Sequence, residues 1–230
     1  MKSLIVPRRF NGPANSGNGG WTAGSLAQDL PGSRDTAVTV RLHRPPPLDT
    51  PLALTETPTG SVATHQGRTV AEASYAELEP EPLPPVTVAR ASEAEEKYVG
   101  LASHPFPTCF VCGTDRRSDD GLRVFAGPVE PGRVAATWTP YEVSVPITWG
   151  ALDCPGAWAS DIAERMMVLG QITVRIRRLP RTSERYVVTG AVRGAEGRKT
   201  FTATTLHDAD GEVLAAAEHV WITVDPDTFG

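Results

Sequence analysis

No stretch of about 18 apolar residues occurs in this chain of 230, which excludes a membrane-spanning helix. The N-terminal MKSLIVPRRF has only a brief apolar stretch before Pro7, Arg8 and Arg9, so no secretory signal is expected in it. Cysteine is scarce and odd in number: Cys109, Cys112 and Cys154 make no disulfide framework. Positive charge is also short, with 22 Lys and Arg against 27 Asp and Glu and a net charge of -5. A nucleic-acid-binding protein would carry a basic face or tail. Here basic residues cluster only at Arg41, Arg44, Arg175, Arg177 and Arg178, at expected strand ends. They either blunt edge pairing or meet an anionic phosphate. The expectation is a soluble cytoplasmic protein with no nucleic-acid and no membrane partner.

What is present is an ordinary globular composition, 40% hydrophobic and 21% charged, and a phrase spelled twice. Each time a glycine-bearing turn enters a short apolar helix and long alternating strands follow. The first copy is SGNGGWTAGSLA at 16–27, then 37–54 and 70–78. The second is ALDCPGAWASDIA at 151–163, then 170–192 and 199–224, with Thr39-Val40-Arg41-Leu42 echoed by Thr173-Val174-Arg175-Ile176. Such a helix under a curled sheet buries little alone, so two copies would share a sheet and enclose a cleft.

Trp21, Leu26 and Leu30 have helical spacing and Pro31-Gly32 ends the run. Val38, Val40 and Leu42 alternate with polar residues until Pro45-Pro46-Pro47 breaks the strand. His65 to Arg68 reads as a hairpin tip. Glu79 to Pro85 (EPEPLPP) reads as a spacer, and the domain boundary is placed there. Ser92 and Glu95 have capping-box spacing for a helix over 93–99, and 104–120 reads as loop. Leu122 to Phe125 and Val134 to Trp138 read as paired strands around a turn at 127–132. A second helix is expected to start near Cys154 or Pro155 with Asp153 as its cap and Trp158, Ile162 and Met166 as its stripe. Tyr186 to Val192, Phe201 to Leu206 and Val213 to Val224 read as antiparallel strands, with a turn at Asp208 to Gly211.

SGNGGWTAGSLA leading to VTVRLHRPPPLDTPL, and WGALDCPGAWA leading to QITVRIRRLP, resemble the double hotdog architecture of acyl-CoA thioesterases, in particular the acyl-CoA thioesterase II-like branch. The element order matches over most of the chain. The resemblance implies an α+β fold of two tandem hotdog units, each an antiparallel sheet wrapped around a central helix. The units would cover 1–85 and 121–230, joined by a linker over 86–120 with a short helix and the CxxC loop. It also implies an acyl-CoA or carrier-bound acyl substrate, no cofactor, and association of copies through the sheet backs.

A thioester carbonyl is polarised by N–H groups at a helix N-terminus, and small residues let it approach. Asn18, Gly19 and Gly20 in the first copy and Asp153, Cys154 and Gly156 in the second offer that composition. The family uses a carboxylate near the helix, which makes Asp153 the catalytic candidate. An aspartate there also reads as a plain helix cap. Gln171, at the start of the following strand, is the candidate for holding water, or a surface strand end. Asn15 and Asn18 would contact substrate or build the loop. Cys109-Phe110-Val111-Cys112-Gly113 is half of a zinc knuckle that His104 and Cys154 would have to complete, though the expectation is reduced loop cysteines and no metal. Cys154 would be a nucleophile only with a base, and no histidine is near it in sequence. A hydratase would need a histidine about five residues after Asp153, and the next is His207. Acyl thioester hydrolysis is therefore the leading expectation, with a non-catalytic acyl binder as the alternative from a different class. Trp21, Trp138, Trp149 and Trp158 either line a pocket or fill the core.

Overall fold

The computed structural model describes residues 2–33 and 35–226, so the outer ends of both expected units, residues 1 and 227–230, lie outside the described residues. The first half of the chain supplies β1 (Ser3–Leu4), α1 (Gly19–Ala27), β2 (Val38–Leu42), β3 (Leu52–Thr57), β4 (Gly60–His65) and β5 (Arg68–Tyr75). A connecting helix α2 (Val88–Glu95) follows. The second half supplies β6 (Gly127–Glu130), β7 (Arg133–Trp138), α3 (Val145–Trp158), β8 (Met167–Ile176), β9 (Tyr186–Glu196), β10 (Lys199–His207) and β11 (Val213–Thr223). All these strands form one antiparallel sheet of order β1-β3-β4-β5-β2-β8-β11-β10-β9-β7-β6. The described residues contain no helix long and apolar enough to cross a membrane.

The halves meet where β2 pairs with β8, the two strands that carry the echo: Val38 lies opposite Val174, Thr39 opposite its counterpart Thr173, Val40 opposite Ile172 and Arg41 opposite Gln171. The Thr39 and Thr173 hydroxyls hydrogen-bond at 2.8 Å across this seam. Val38, Val40, Ile172 and Val174 turn inward and are buried, each worth about 1.5–3 kcal/mol of apolar transfer.

Helices α1 and α3 lie beneath the sheet, against each other. Two glycines set their separation. A Cβ at Gly20 would come 2.5 Å from the Asp153 Cβ and 2.7 Å from the Trp149 carbonyl oxygen, and one at Gly24 would come 2.8 Å from the Pro146 Cα. As α1 advances from 20 to 24, its neighbours on α3 run back from 153 to 146, so the helices are antiparallel. The N-terminus of α1 therefore faces the C-terminal part of α3.

The hairpin tip at Gln66-Gly67 is as expected, both residues having positive φ of 49° and 72°. Three expectations are corrected. Helix α3 does not begin at Cys154 or Pro155 but at Val145, where the Ser144 hydroxyl accepts from the Ile147 N–H and Pro146 fills the first turn. It is buried from Pro146 to Trp158 and has no polar face, so no stripe marked its upstream turns. Pro155 lies inside its last turns, and Ile162 and Met166 fall beyond it. Helix α2 is capped by Thr87, which accepts from the Arg90 N–H, and Ser92 lies inside it. Leu122 to Phe125 is not a sheet strand: the Leu122 and Val124 N–H groups donate to the Phe110 and Val111 carbonyls, tying this segment to the CxxC loop, and β6 instead uses the expected turn residues 127–130.

Candidate active site

The loop 11–18 folds back on itself before α1. Asn18 closes it: its side-chain oxygen accepts from the Trp21 N–H at 2.8 Å, satisfying one orphan donor of the helix start. Its amide nitrogen is left to point across to α3, where it donates to Asp153 Oδ2 at 3.0 Å. The Gly20 N–H donates to the same oxygen at 2.9 Å. Asp153 thus does sit at a helix N-terminus, but of α1 rather than of its own helix. The two candidate clusters, Asn18-Gly19-Gly20 and Asp153-Cys154, form one site.

Asp153 is 2% exposed, and its second oxygen, Oδ1, is buried without a hydrogen-bond partner. Burial raises the carboxyl to about 7, against the opposing pull of the Gly20 N–H and the Asn18 amide. The positive end of α1 also favours the carboxylate.

Beside this pair a cavity of about 310 Å³ opens at the end of the seam. Gly17 and Asn18 line it from the loop before α1, Gly19 from the start of α1, Asp153, Cys154 and Trp158 from α3, and Met167 to Gly170 from the first residues of β8. His43 and Arg44, just past β2, form part of its wall, and Arg44 donates to the Thr69 carbonyl at 2.7 Å.

The remaining sequence candidates are placed as follows. Gln171 does not meet Asp153. Its neighbour Ile172 points to the helices, so the Gln171 side chain takes the outer face of the sheet, where it accepts from Arg41 Nε at 2.9 Å. Gly156 faces the sheet, not the cavity: a Cβ there would lie 2.6 Å from the Thr202 hydroxyl, so it serves the close packing of α3 on β10. Trp158 lines the cavity, Trp21 stacks on Phe10 at 4.1 Å, and Trp138 and Trp149 are buried in the core. Arg175 pairs with Glu79 and Arg178 with Asp208.

Sequence reasoning missed how the CxxC loop joins the site. Cys109, Cys112 and Cys154 are all buried, with the Cys109 and Cys154 sulfurs 3.7 Å apart. The Asn18 amide lies 3.9 Å from both sulfurs. Hydrogen bonds from the Cys112 and Cys154 thiols hold Cys109 well below the ordinary thiol range, while Cys154 is held well above it by its contacts with Cys109 and Cys112 and by burial. Cys154 is thus a protonated thiol rather than a ready nucleophile. His104 completes the cavity wall, but both ring nitrogens are occupied, Nδ1 by the Phe106 N–H at 2.9 Å and Nε2 by the Cys112 carbonyl at 3.0 Å.

No protein-family model matches the sequence, and no curated protein does. Solved structures do match in fold. A putative thioesterase from Novosphingobium aromaticivorans superposes with a TM-score of 0.63 at 11% identity, covering 97% of this chain and 95% of that one. A protein of unknown function with a hot dog fold, from Alicyclobacillus acidocaldarius, gives a TM-score of 0.60 at 12% identity, covering 97% and 92%. An acyl-CoA thioesterase II from Mycobacterium marinum gives 0.55 at 13% identity, covering 98% and 93%. The chain is similar in fold to hotdog and acyl-CoA thioesterase II structures over nearly its whole described length.

Proposed function

We propose that this chain hydrolyses acyl-CoA or carrier-bound acyl thioesters, and that it is built from two tandem hotdog units, 1–85 and 121–230, bridged by 86–120. Its echoed strands paired at one seam support the duplication, and the fold likeness to thioesterase structures supports the substrate class. Asp153 carries the catalytic part of this reading: a buried carboxylate with one oxygen fixed by two donors and the other unpaired, beside a cavity.

The acyl chain occupies the cavity with its thioester carbonyl toward the start of α1. The Gly20 and Trp21 N–H groups are taken by Asp153 and Asn18, which leaves the Gly19 N–H as the donor for the carbonyl oxygen. Asp153 Oδ1 accepts a proton from a water whose oxygen attacks the carbonyl carbon. The tetrahedral oxyanion collapses, the carbon–sulfur bond breaks, and the thiolate leaves with the proton that Asp153 returns. The products are a carboxylic acid and a free thiol. Arg44 at the wall would meet the phosphates of the carrier, while His43 faces Glu72 at 3.3 Å. The three reduced cysteines fit action in the cytoplasm.

A free-thiol release assay over acyl-CoAs of increasing chain length tests this directly. Turnover is expected on at least one chain length and is expected to be lost in Asp153→Asn. Ligand binding without turnover on the whole panel would instead favour a non-catalytic acyl binder.

A further inference from the structure

The hydrolase reading uses none of the three cysteines, yet the fold brings them together from distant stretches. Their sulfurs lie within 4.8 Å of one another and all three residues are buried. A tetrahedral zinc site with bonds of about 2.3 Å spaces its sulfurs about 3.8 Å apart. Cys109 and Cys154 already stand at 3.7 Å, far beyond disulfide bonding, and the third sulfur is within about an ångström of closing the face.

The loop is shaped for this. The Gly113 N–H closes a turn on the Cys109 carbonyl at 2.9 Å, and a Cβ at 113 would come 2.5 Å from the carbonyls of both Cys109 and Pro107. That is the physical need for glycine after the CxxC. Donors surround the sulfurs: the Val111 and Cys112 N–H groups favour the Cys109 thiolate, and the Asn18 amide reaches both Cys109 and Cys154. The Trp158 indole N–H, buried and without a hydrogen-bond partner, favours the Cys112 anion. Such outer donors offset the negative charge that three thiolates leave on a divalent ion.

We propose that Cys109, Cys112 and Cys154 bind one thiophilic divalent cation, Zn²⁺, as three thiolates, with the fourth position supplied by water or a ligand from the adjoining cavity. The three thiols release their protons on binding. An all-sulfur face selects zinc over the hard cations Mg²⁺ and Ca²⁺. His104 is not the fourth ligand, since both its nitrogens are engaged. The bound ion locks the loop 104–124 onto α3 at the cavity wall.

The full chain, purified under reducing conditions, is assayed for metal by elemental analysis and then exchanged with Co²⁺. About one zinc per chain is expected, falling at least tenfold in Cys112→Ser, together with a thiolate-to-cobalt charge-transfer band and tetrahedral d–d bands. Chelation is expected to lower the melting midpoint. Absence of both the zinc and the cobalt bands, in a folded chain with three titratable thiols, overturns the proposal. So does an iron–sulfur chromophore, a disulfide, or a Cys109→Ser, Cys112→Ser double variant that keeps its zinc. Should either variant fail to fold, the cobalt spectrum of the unaltered chain decides. All these readouts need no substrate, so they stand or fall apart from the hydrolase assay.

Discussion

Helices α1 and α3 occupy matching places beneath the two halves of the sheet, and they differ in what each end is asked to do. Helix α1 has nine residues, no charge, and an N-terminus that opens on a cavity. Helix α3 has fourteen, and its N-terminus is closed by Ser144 and by Pro146, which brings no N–H. Its useful part is the other end, where Asp153 and Cys154 project toward α1. One helix gives donors and the other gives the acid. A pair of similar elements has therefore produced one composite site rather than two equivalent ones, and this asymmetry can be broken one residue at a time.

The largest expected effect is on Asp153. Replacing it with Asn keeps the shape but removes the proposed base, and thiol release should fall about 10²–10⁴-fold with the circular dichroism unchanged. An unimpaired rate would separate α3 from the chemistry altogether.

Acid should act on α3 and spare α1, which has no titratable side chain. Helix α3 is laid on β10 and β11 partly through His219, whose ring contacts the Leu152 carbonyl at 3.1 Å and the Thr202 carbonyl at 3.3 Å. Burial lowers this imidazole to about 4. The unfolded chain takes up its proton near 6.5 and the folded one only near 4, so stability falls as pH drops between those values. The His219 contribution is a loss on the order of 3 kcal/mol; Asp153, which the folded chain protonates from about 7 downward, opposes it over the same interval, so it is read as the difference in urea midpoints between the unaltered chain and His219→Gln. A His219→Gln variant that shows the same acid slope would place its origin elsewhere.

Gly20→Ala tests the contact between the helices. In an isolated helix alanine is worth up to about 1 kcal/mol over glycine. Here its Cβ would strike Asp153 and Trp149, so a net destabilisation of about 1–3 kcal/mol and a slower enzyme are expected. A more stable variant would show that α1 has room to move away.

The two caps give the finest comparison. Asn18→Ala and Ser144→Ala each remove a cap worth about 1 kcal/mol in thermal unfolding. Only the first also frees Asp153 Oδ2 of a donor, so kcat/KM should drop for Asn18→Ala and stay level for Ser144→Ala. At the small end, Gln171→Ala should change stability by no more than about 0.5 kcal/mol and leave turnover as it was, because Gln171 faces Arg41 on the outer sheet face.

Much of this was legible in the sequence. The TVRL and TVRI echoes marked the two strands that pair at the seam, and alternation marked their buried faces. Asn18, Gly20 and Asp153 were singled out by residue type. Their union was not visible, because hydrogen bonds across 133 and 135 positions leave no local pattern. The start of α3 was hidden for another reason: a helix wrapped on all sides by protein shows no polar stripe, and proline suits an N-terminus so well that Pro155 drew the boundary ten residues too late. Leu122 to Phe125 alternates as a strand should, and its backbone does bond to a neighbour, but that neighbour is the CxxC loop and Arg123 between the two bonds has a φ of 53°. Gln171 takes the outer face because the next residue, Ile172, is buried against the helices; alternation carried that side, and the choice of Gln171 by its place at the strand start overlooked it.

The seam also bears on biosynthesis. Thr39 and Thr173 are 134 positions apart, so on the ribosome β2 emerges long before the strand that will cover its open side. Until then the nascent chain shows an unprotected rim bearing Val38 and Val40, a template for unwanted partners. Premature termination anywhere before β8 would leave that rim permanently bare, and such fragments are expected to aggregate or be degraded rather than persist as working half-proteins.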